Sequence, residues 1–290
     1  MLDYDAAIES IVALQARDTQ AINPLCRTQL LAHGYKVERA LVCLHGFTNC
    51  PQQFAGLAQT FFARGWNVLN ARLPHHGLRD RLSRDLAKMR ADEMIAFTDD
   101  LVEVAQGLGE RVSLVGLSLG GTLALRIAQQ RADLDRAIAI APMIAPPKVP
   151  LFILPLLVRV ARIVPNVFVW WDSHTKERMP GPQHAYPRFA SRALAEMLVI
   201  AGQVQADAFR AGARPLARSI CMVTNGADPA VNSAAAQAVA ARWRANGARN
   251  IESYEFPASL RLIHDLVDKD QSGQRTNVVY PVLIEQIERG

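Results

Sequence analysis

The sequence predicts an α/β fold, a mostly parallel sheet flanked by helices and interrupted by an inserted helical cap. Three observations carry that reading. Short apolar runs alternate along the chain with segments of helical spacing, the order a parallel sheet needs because each crossover has to return across a face of the sheet. One of these runs, residues 112–115, leads into Gly116-Leu-Ser118-Leu-Gly120, a G-x-S-x-G turn that opens a helix. The alternation then breaks between Pro142 and Pro215, where nine of the sixteen prolines fall within residues 142–187.

Taken in order, the first helix is expected at residues 4–16, followed by β-rich runs at 27–31 and 39–44. Residues 51–64 have helical apolar spacing, with Pro51 in the tolerated first turn. Residues 66–69 are strand-like, 91–107 helical, 112–115 a strand, and 122–130 the helix that follows the glycine turn. Further apolar runs at 137–140, 220–224 and 251–256 complete a sheet covered on both faces. The expected core is therefore residues 1–142 and 218–290, with 143–217 as the cap. Inside the cap, 151–164 reads as one apolar helix or two short ones. Residues 192–211 read as another, with Leu194, Met197, Leu198 and Ala201 on one side.

Composition narrows the function classes. The chain has 290 residues, half of them hydrophobic, enough for a sizeable core. Its net charge of +5 is spread over both signs, with no run of five basic residues and no basic stripe interleaved with aromatics, so no nucleic-acid partner is expected. Cys26, Cys43, Cys50 and Cys221 show neither C-x-x-C spacing nor the density of a disulfide scaffold, which fits reduced thiols in a cytoplasmic protein. Met1-Leu-Asp-Tyr-Asp5 carries acid where a secretory leader carries base. The long apolar stretch at 149–171 contains Pro150, Pro155, Pro165, Arg159 and Arg162, poor material for a spanning helix, so a buried or lid segment without stable membrane insertion is expected.

The chemistry centres on Ser118. A serine hydroxyl becomes a useful nucleophile only when a base takes its proton, and that base needs a third group to orient it. Parallel α/β sheets carry such groups at the carboxyl ends of strands. Asp228, in the turn after the strand at 220–224, and His264, in the loop after the strand at 251–256, occupy such positions in the order nucleophile, acid, base. Asp265 is a rival acid in sequence only, because adjacent side chains rarely align for the required hydrogen bond. The backbone N–H groups of Phe47, after the strand ending in His45-Gly46, and of Leu119, at a helix N-terminus, are candidates for an oxyanion hole. His45 reads as a structural residue at a strand end. His75 and His76 project in different directions, with no acidic partner motif beside them in the sequence, so no metal site is expected.

On His45-Gly-Phe-Thr-Asn-Cys-Pro51, Gly116-Leu-Ser-Leu-Gly-Gly121, the Asp228-Pro-Ala-Val231 turn and the late His264, the chain resembles the α/β-hydrolase superfamily, and within it the bacterial carboxylesterases related to monoacylglycerol lipases. The resemblance implies that Ser118 attacks an ester, His264 shuttles the proton, Asp228 orients the imidazole, and the Phe47 and Leu119 amides bind the oxyanion. It implies no cofactor and a small apolar ester as substrate, cleaved through an acyl-enzyme. A thioesterase or acyltransferase with the same triad, or a silent ligand-binding member, are the alternatives. One departure is the Leu260-Arg-Leu-Ile263 stretch before His264, where the family carries a small pair. Residues 151–169 and Trp170-Trp171 are the candidate lining of the acyl pocket.

Overall fold

The structure, a computed structural model, describes residues 2–149, 153–174, 178–179 and 181–289. Helix α1 (Tyr4–Ala16) starts at Asp3, whose carboxylate accepts the Ala6 N–H at 2.9 Å, and leads into β1 (Gln29–Leu31) and β2 (Val37–Leu44). The helix expected at 51–64 is split: Pro51–Phe54 forms a 3-10 turn, and α2 is confined to Ala55–Phe62. Strand β3 (Asn67–Ala71), α3 (Ala91–Ala105), β4 (Gly109–Leu117), α4 (Leu119–Ala128) and β5 (Arg136–Ile140) follow. The interrupted region contains α5 (Leu154–Ile163), the strands β6 (Phe168–Trp170) and β7 (Arg188–Ala190), and α6 (Ser191–Phe209). The chain then resumes as β8 (Ser219–Asn225), α7 (Ser233–Ala245), β9 (Ile251–Phe256) and α8 (Thr276–Glu288). Residues 151 and 152 of the expected cap helix lie outside the described residues.

Seven strands form one sheet in the order β1-β3-β2-β4-β5-β8-β9, and all neighbours run parallel except the antiparallel edge pair β1 and β3. The central strands are apolar on both faces because helices cover both. Along β2, Leu41 and Cys43 point to one face with Leu57 and Phe61 of α2 and Leu283 of α8. Ala40, Val42 and Leu44 point to the other, with residues of α3 and α4. The edge strand β9 is instead buried only at its ends, Ile251 and Phe256, and alternates between partly exposed and exposed positions in between.

The insertion is not uniform. Ala193, Met197, Ile200 and Val204 of α6 join the same core as α3 and α4. Helix α5 buries Leu154 alone and leaves Leu156, Leu157, Val160 and Ile163 exposed. Between them, the stretch before β7 is tied down by the buried guanidinium of Arg81, which donates to the carbonyls of Ala185 at 2.7 Å and Met179 at 3.2 Å. Among the described residues no helix is long and apolar enough to cross a membrane.

The tightest packing in the sheet lies where β4 turns into α4. A Cβ added at Gly116 would collide with the backbone carbonyl of Gly120, and one added at Gly120 would collide with the Leu44 carbonyl at the end of β2. Gly120→Ala is therefore expected to destabilise the protein by at least the ~1–3 kcal/mol typical of overpacking. Denaturant unfolding checks this, and an unchanged midpoint would contradict the close approach.

Candidate active site

The turn between β4 and α4 consists of Ser118 alone, at φ 55° and ψ −110°. A non-glycine residue at positive φ is strained by roughly 1–3 kcal/mol and persists only where its surroundings fix it. Here the Ser118 N–H donates to Ile140 O at 2.9 Å, and the Ser118 carbonyl accepts from the Thr122 N–H at 2.9 Å and the Thr122 hydroxyl at 3.0 Å. The serine side chain is left at the mouth of the sheet, where β2, β4, β8 and β9 end.

Asp228 follows β8 in a tight turn, with its side chain fully buried. One carboxylate oxygen accepts the N–H groups of Ala230 at 2.8 Å and Val231 at 3.2 Å. Nδ1 of His264 lies 2.8 Å from Oδ2 and 3.0 Å from Oδ1. The two loops are joined by Asn225, the last residue of β8, whose amide donates to Leu262 O at 3.0 Å and Ile263 O at 3.3 Å. That bond fixes the loop immediately before the histidine, despite the bulky residues at 260–263. The His264 side chain is 23% exposed and borders the same cavity as Ser118. The Ser118 hydroxyl itself makes no hydrogen bond to His264 in this structure.

Phe47 lies in the loop after β2, and its N–H has no partner among the described residues. Leu119 opens α4, where first-turn amides have no intrahelical acceptor. His45, at the base of the same loop, is fully buried; Nε2 accepts the Leu73 N–H at 3.0 Å, so Nδ1 carries the proton and donates to Gly46 O at 2.9 Å. Burial holds its pKa well below the usual histidine range. This is a neutral structural histidine.

A second polar cluster adjoins the first, and the sequence motifs did not mark it. Asp265 turns away from Asp228 and accepts three side-chain amides: Gln53 Nε2 at 2.8 Å, Asn49 Nδ2 at 3.0 Å and Gln271 Nε2 at 3.2 Å. Burial, reinforced by the nearby Asp268, pushes its carboxyl up to about 6. Asp268 is itself fully buried and bonded at 2.8 Å to Nε2 of His184, which comes from the insertion. The loop carrying Phe47 is also held from above, because Thr48 O accepts the Tyr186 N–H at 2.7 Å and Thr48 Oγ1 accepts the indole N–H of Trp171 at 3.0 Å.

The adjacent histidines separate as expected, although His75 does meet acids in space: it bridges Asp85 at 3.2 Å and Glu93 at 2.9 Å. His76 is buried, donates Nδ1–H to Pro74 O at 2.7 Å, and leaves Nε2 without a partner. Among the described residues no group of three or more His, Cys, Asp or Glu side chains is placed to hold a metal ion. All four cysteines are buried free thiols.

Ser118, His264 and the Phe47 loop open on a cavity of about 620 Å3. One wall is apolar, formed by Met143, Trp171, Phe189, Leu194 and Met197; the other is polar, with Asn49, Gln53, Asp265 and Gln271. Trp171 therefore lines the cavity as expected, whereas Trp170, in β6, does not. Helix α5 does not; it borders a separate groove against α6, lined by Val158, Leu198 and Val199 among others. The apolar wall comes instead from Leu194 and Met197 of α6, Phe189 of β7, and Met143 and Trp171, which follow β5 and β6.

A mostly parallel sheet with a serine at a strand-to-helix elbow and an Asp–His pair on later strand ends defines the α/β-hydrolase class. The sequence matches the Alpha/beta hydrolase family over residues 41–262, and the chain belongs to that family. It is 30% identical over 100 residues to a thermostable monoacylglycerol lipase of Bacillus sp. (strain H-257), a match spanning 32% of this chain and 36% of that protein. Among solved structures, it is similar to one reported for the metagenome-derived lipolytic enzymes LipS and LipT. That likeness has a TM-score of 0.67 and 16% identity over 93% of this chain and 100% of the other. The monoacylglycerol lipase of Paleococcus ferrophilus gives 0.64 and 16% over 91% of this chain and 98% of its own. Likenesses at such low identity establish the fold.

Burial of His76 gives the protein's stability a pH dependence. Burial lowers His76 to about 4, against an ordinary value of 6.5. Between these values the unfolded chain binds the proton and the folded one does not, so stability rises with pH across that window and is lost as pH falls through it. His76→Phe is expected to flatten the dependence of Tm on pH between about 6.5 and 4. Thermal scans across that range check this, and an unchanged slope would contradict it.

Proposed function

We propose that this chain is a serine hydrolase that cleaves carboxylic esters through an acyl-enzyme, with Ser118 as nucleophile, His264 as general base and acid, and Asp228 as the group that orients the imidazole. The observation that carries the reading is the Asp228–His264 pair beside a serine held at positive φ on a shared cavity. With Nδ1 engaged by Asp228, Nε2 is the nitrogen left to exchange a proton with the hydroxyl. Hydrogen bonds of this kind often tighten only in the substrate complex, and the open Ser118–His264 contact fits that behaviour.

In acylation, Ser118 Oγ bonds to the ester carbonyl carbon while its proton passes to His264. The carbonyl electron pair moves onto oxygen, where the amides of Phe47 and Leu119 receive it, the latter aided by the positive end of α4. The tetrahedral species collapses, the C–O bond to the alcohol breaks, and His264 returns the proton to the departing alkoxide. Water then attacks the acyl-enzyme by the same steps and releases the carboxylic acid and free serine. The reaction draws on no cofactor.

The apolar wall supports a short- to medium-chain acyl group, and the polar wall suits the alcohol end of a monoacylglycerol-like ester. The test is hydrolysis of p-nitrophenyl esters from acetate to palmitate. Ser118→Ala is expected to lose turnover while keeping its fold, and His264→Ala and Asp228→Asn to lower kcat by roughly 10⁴ each, with a smaller loss allowed for the acid. Wild-type-like activity in Ser118→Ala would sink the reading. Faster turnover of thioesters, or transfer of the acyl group to an added alcohol in preference to water, would move it to a thioesterase or an acyltransferase.

A further inference from the structure

We infer that Asp265 is a positioning residue for the oxyanion loop: its carboxylate orients the Gln53 amide, which in turn fixes the backbone that carries the Phe47 N–H. The inference rests on the serine hydrolase reading above. Gln53 is buried and bonds in two directions, with Oε1 accepting the Gly46 N–H at 2.7 Å and Nε2 donating to Asp265 Oδ1 at 2.8 Å. An amide has one accepting and one donating end. With its Oε1 committed to Gly46, Gln53 presents only its NH2 to Asp265, so the facing atom has to accept, and a carboxylate oxygen does.

The other oxygen of Asp265 is occupied in the same sense by the NH2 groups of Asn49 and Gln271. Every neighbour therefore donates, and an amide in place of the carboxylate would bring NH2 against NH2 whichever way it was turned. If Gln53 flipped to relieve that clash, its own NH2 would face the Gly46 N–H. Gly46 has little room to absorb the change, since a Cβ there would already sit 3.3 Å from the Leu117 side chain and 3.5 Å from the Leu117 carbonyl. Phe47 is the next residue, so a shift at Gly46 swings the N–H that receives the oxyanion. Because oxyanion contacts act mainly in the transition state, misplacing that donor is expected to affect kcat far more than KM.

The experiment measures kcat and KM on p-nitrophenyl butyrate at pH 8 for the wild type, Asp265→Asn, Gln53→Ala and the double variant, with Tm determined separately for each. Each single substitution is expected to lower kcat about 10-fold or more with KM little changed. The double variant is expected to be no slower than the slower single, because both changes break one chain of bonds. Losses that multiply, a change confined to KM, or a lowered Tm with kcat retained would overturn the positioning role. If Asp265→Asn does not fold, an unchanged kcat in Gln53→Ala overturns it alone. A folded wild type inactive on the whole ester series would overturn the hydrolase reading itself, an outcome separate from an active wild type whose variants keep their kcat.

Discussion

The site depends on one backbone constraint: the chain reverses from β4 into α4 through a single residue, Ser118, at a φ that side chains rarely adopt. The strain of roughly 1–3 kcal/mol is offset because strand and helix close on each other with only glycine between them. Gly120 meets the end of β2 as closely as it meets β4, so the elbow and the loop carrying Phe47 are set against each other by the same contact. The position of the hydroxyl and of the amides around it thus follows from the packing of the central strands.

Around that elbow, the loop from His45 to Gln53 is where the molecule converges. His45 anchors it to Leu73, two residues beyond β3, Gln53 to Asp265, and Thr48 to Tyr186 and Trp171 of the insertion. The His184–Asp268 bond adds a buried link between the insertion and the loop carrying His264. Most of these partners are neutral or buried, and buried polar groups of this kind hold one geometry because leaving any of them unpaired is costly. The stretch of the insertion before β7 is thereby part of the floor and wall of the cavity. Helix α5, with its exposed leucines, stands apart from it.

Much of this was legible in the sequence. The central strands read correctly because parallel strands covered on both faces appear as continuous apolar runs, as in β2 and β5. Ser118 stood out because its turn demands glycine two residues to either side, and Asp228 and His264 because strand ends are where such folds present side chains. The start of α2 was misjudged because Pro51 permits a 3-10 turn as readily as an α-helical one. Strands β6 and β7 are three residues each and owe their pairing to tertiary register, which leaves no local pattern. The apolar period of α5 gave its face but not which cavity that face meets. The Gln53–Asp265 link joins residues 212 positions apart, and His184 with Asp268 joins residues 84 apart. Nothing in the neighbouring sequence of either residue identifies such a partner.

A serine activated by its surroundings differs from an ordinary one in its reactivity toward electrophiles. Labelling the folded protein with a fluorophosphonate, followed by digestion and mass spectrometry, distinguishes the two because the reagent reacts far faster with a hydroxyl that has an effective base beside it. Activation of Ser118 predicts a single rapid adduct, on the peptide that contains it. An unlabelled protein, or an adduct on any other residue, would contradict it.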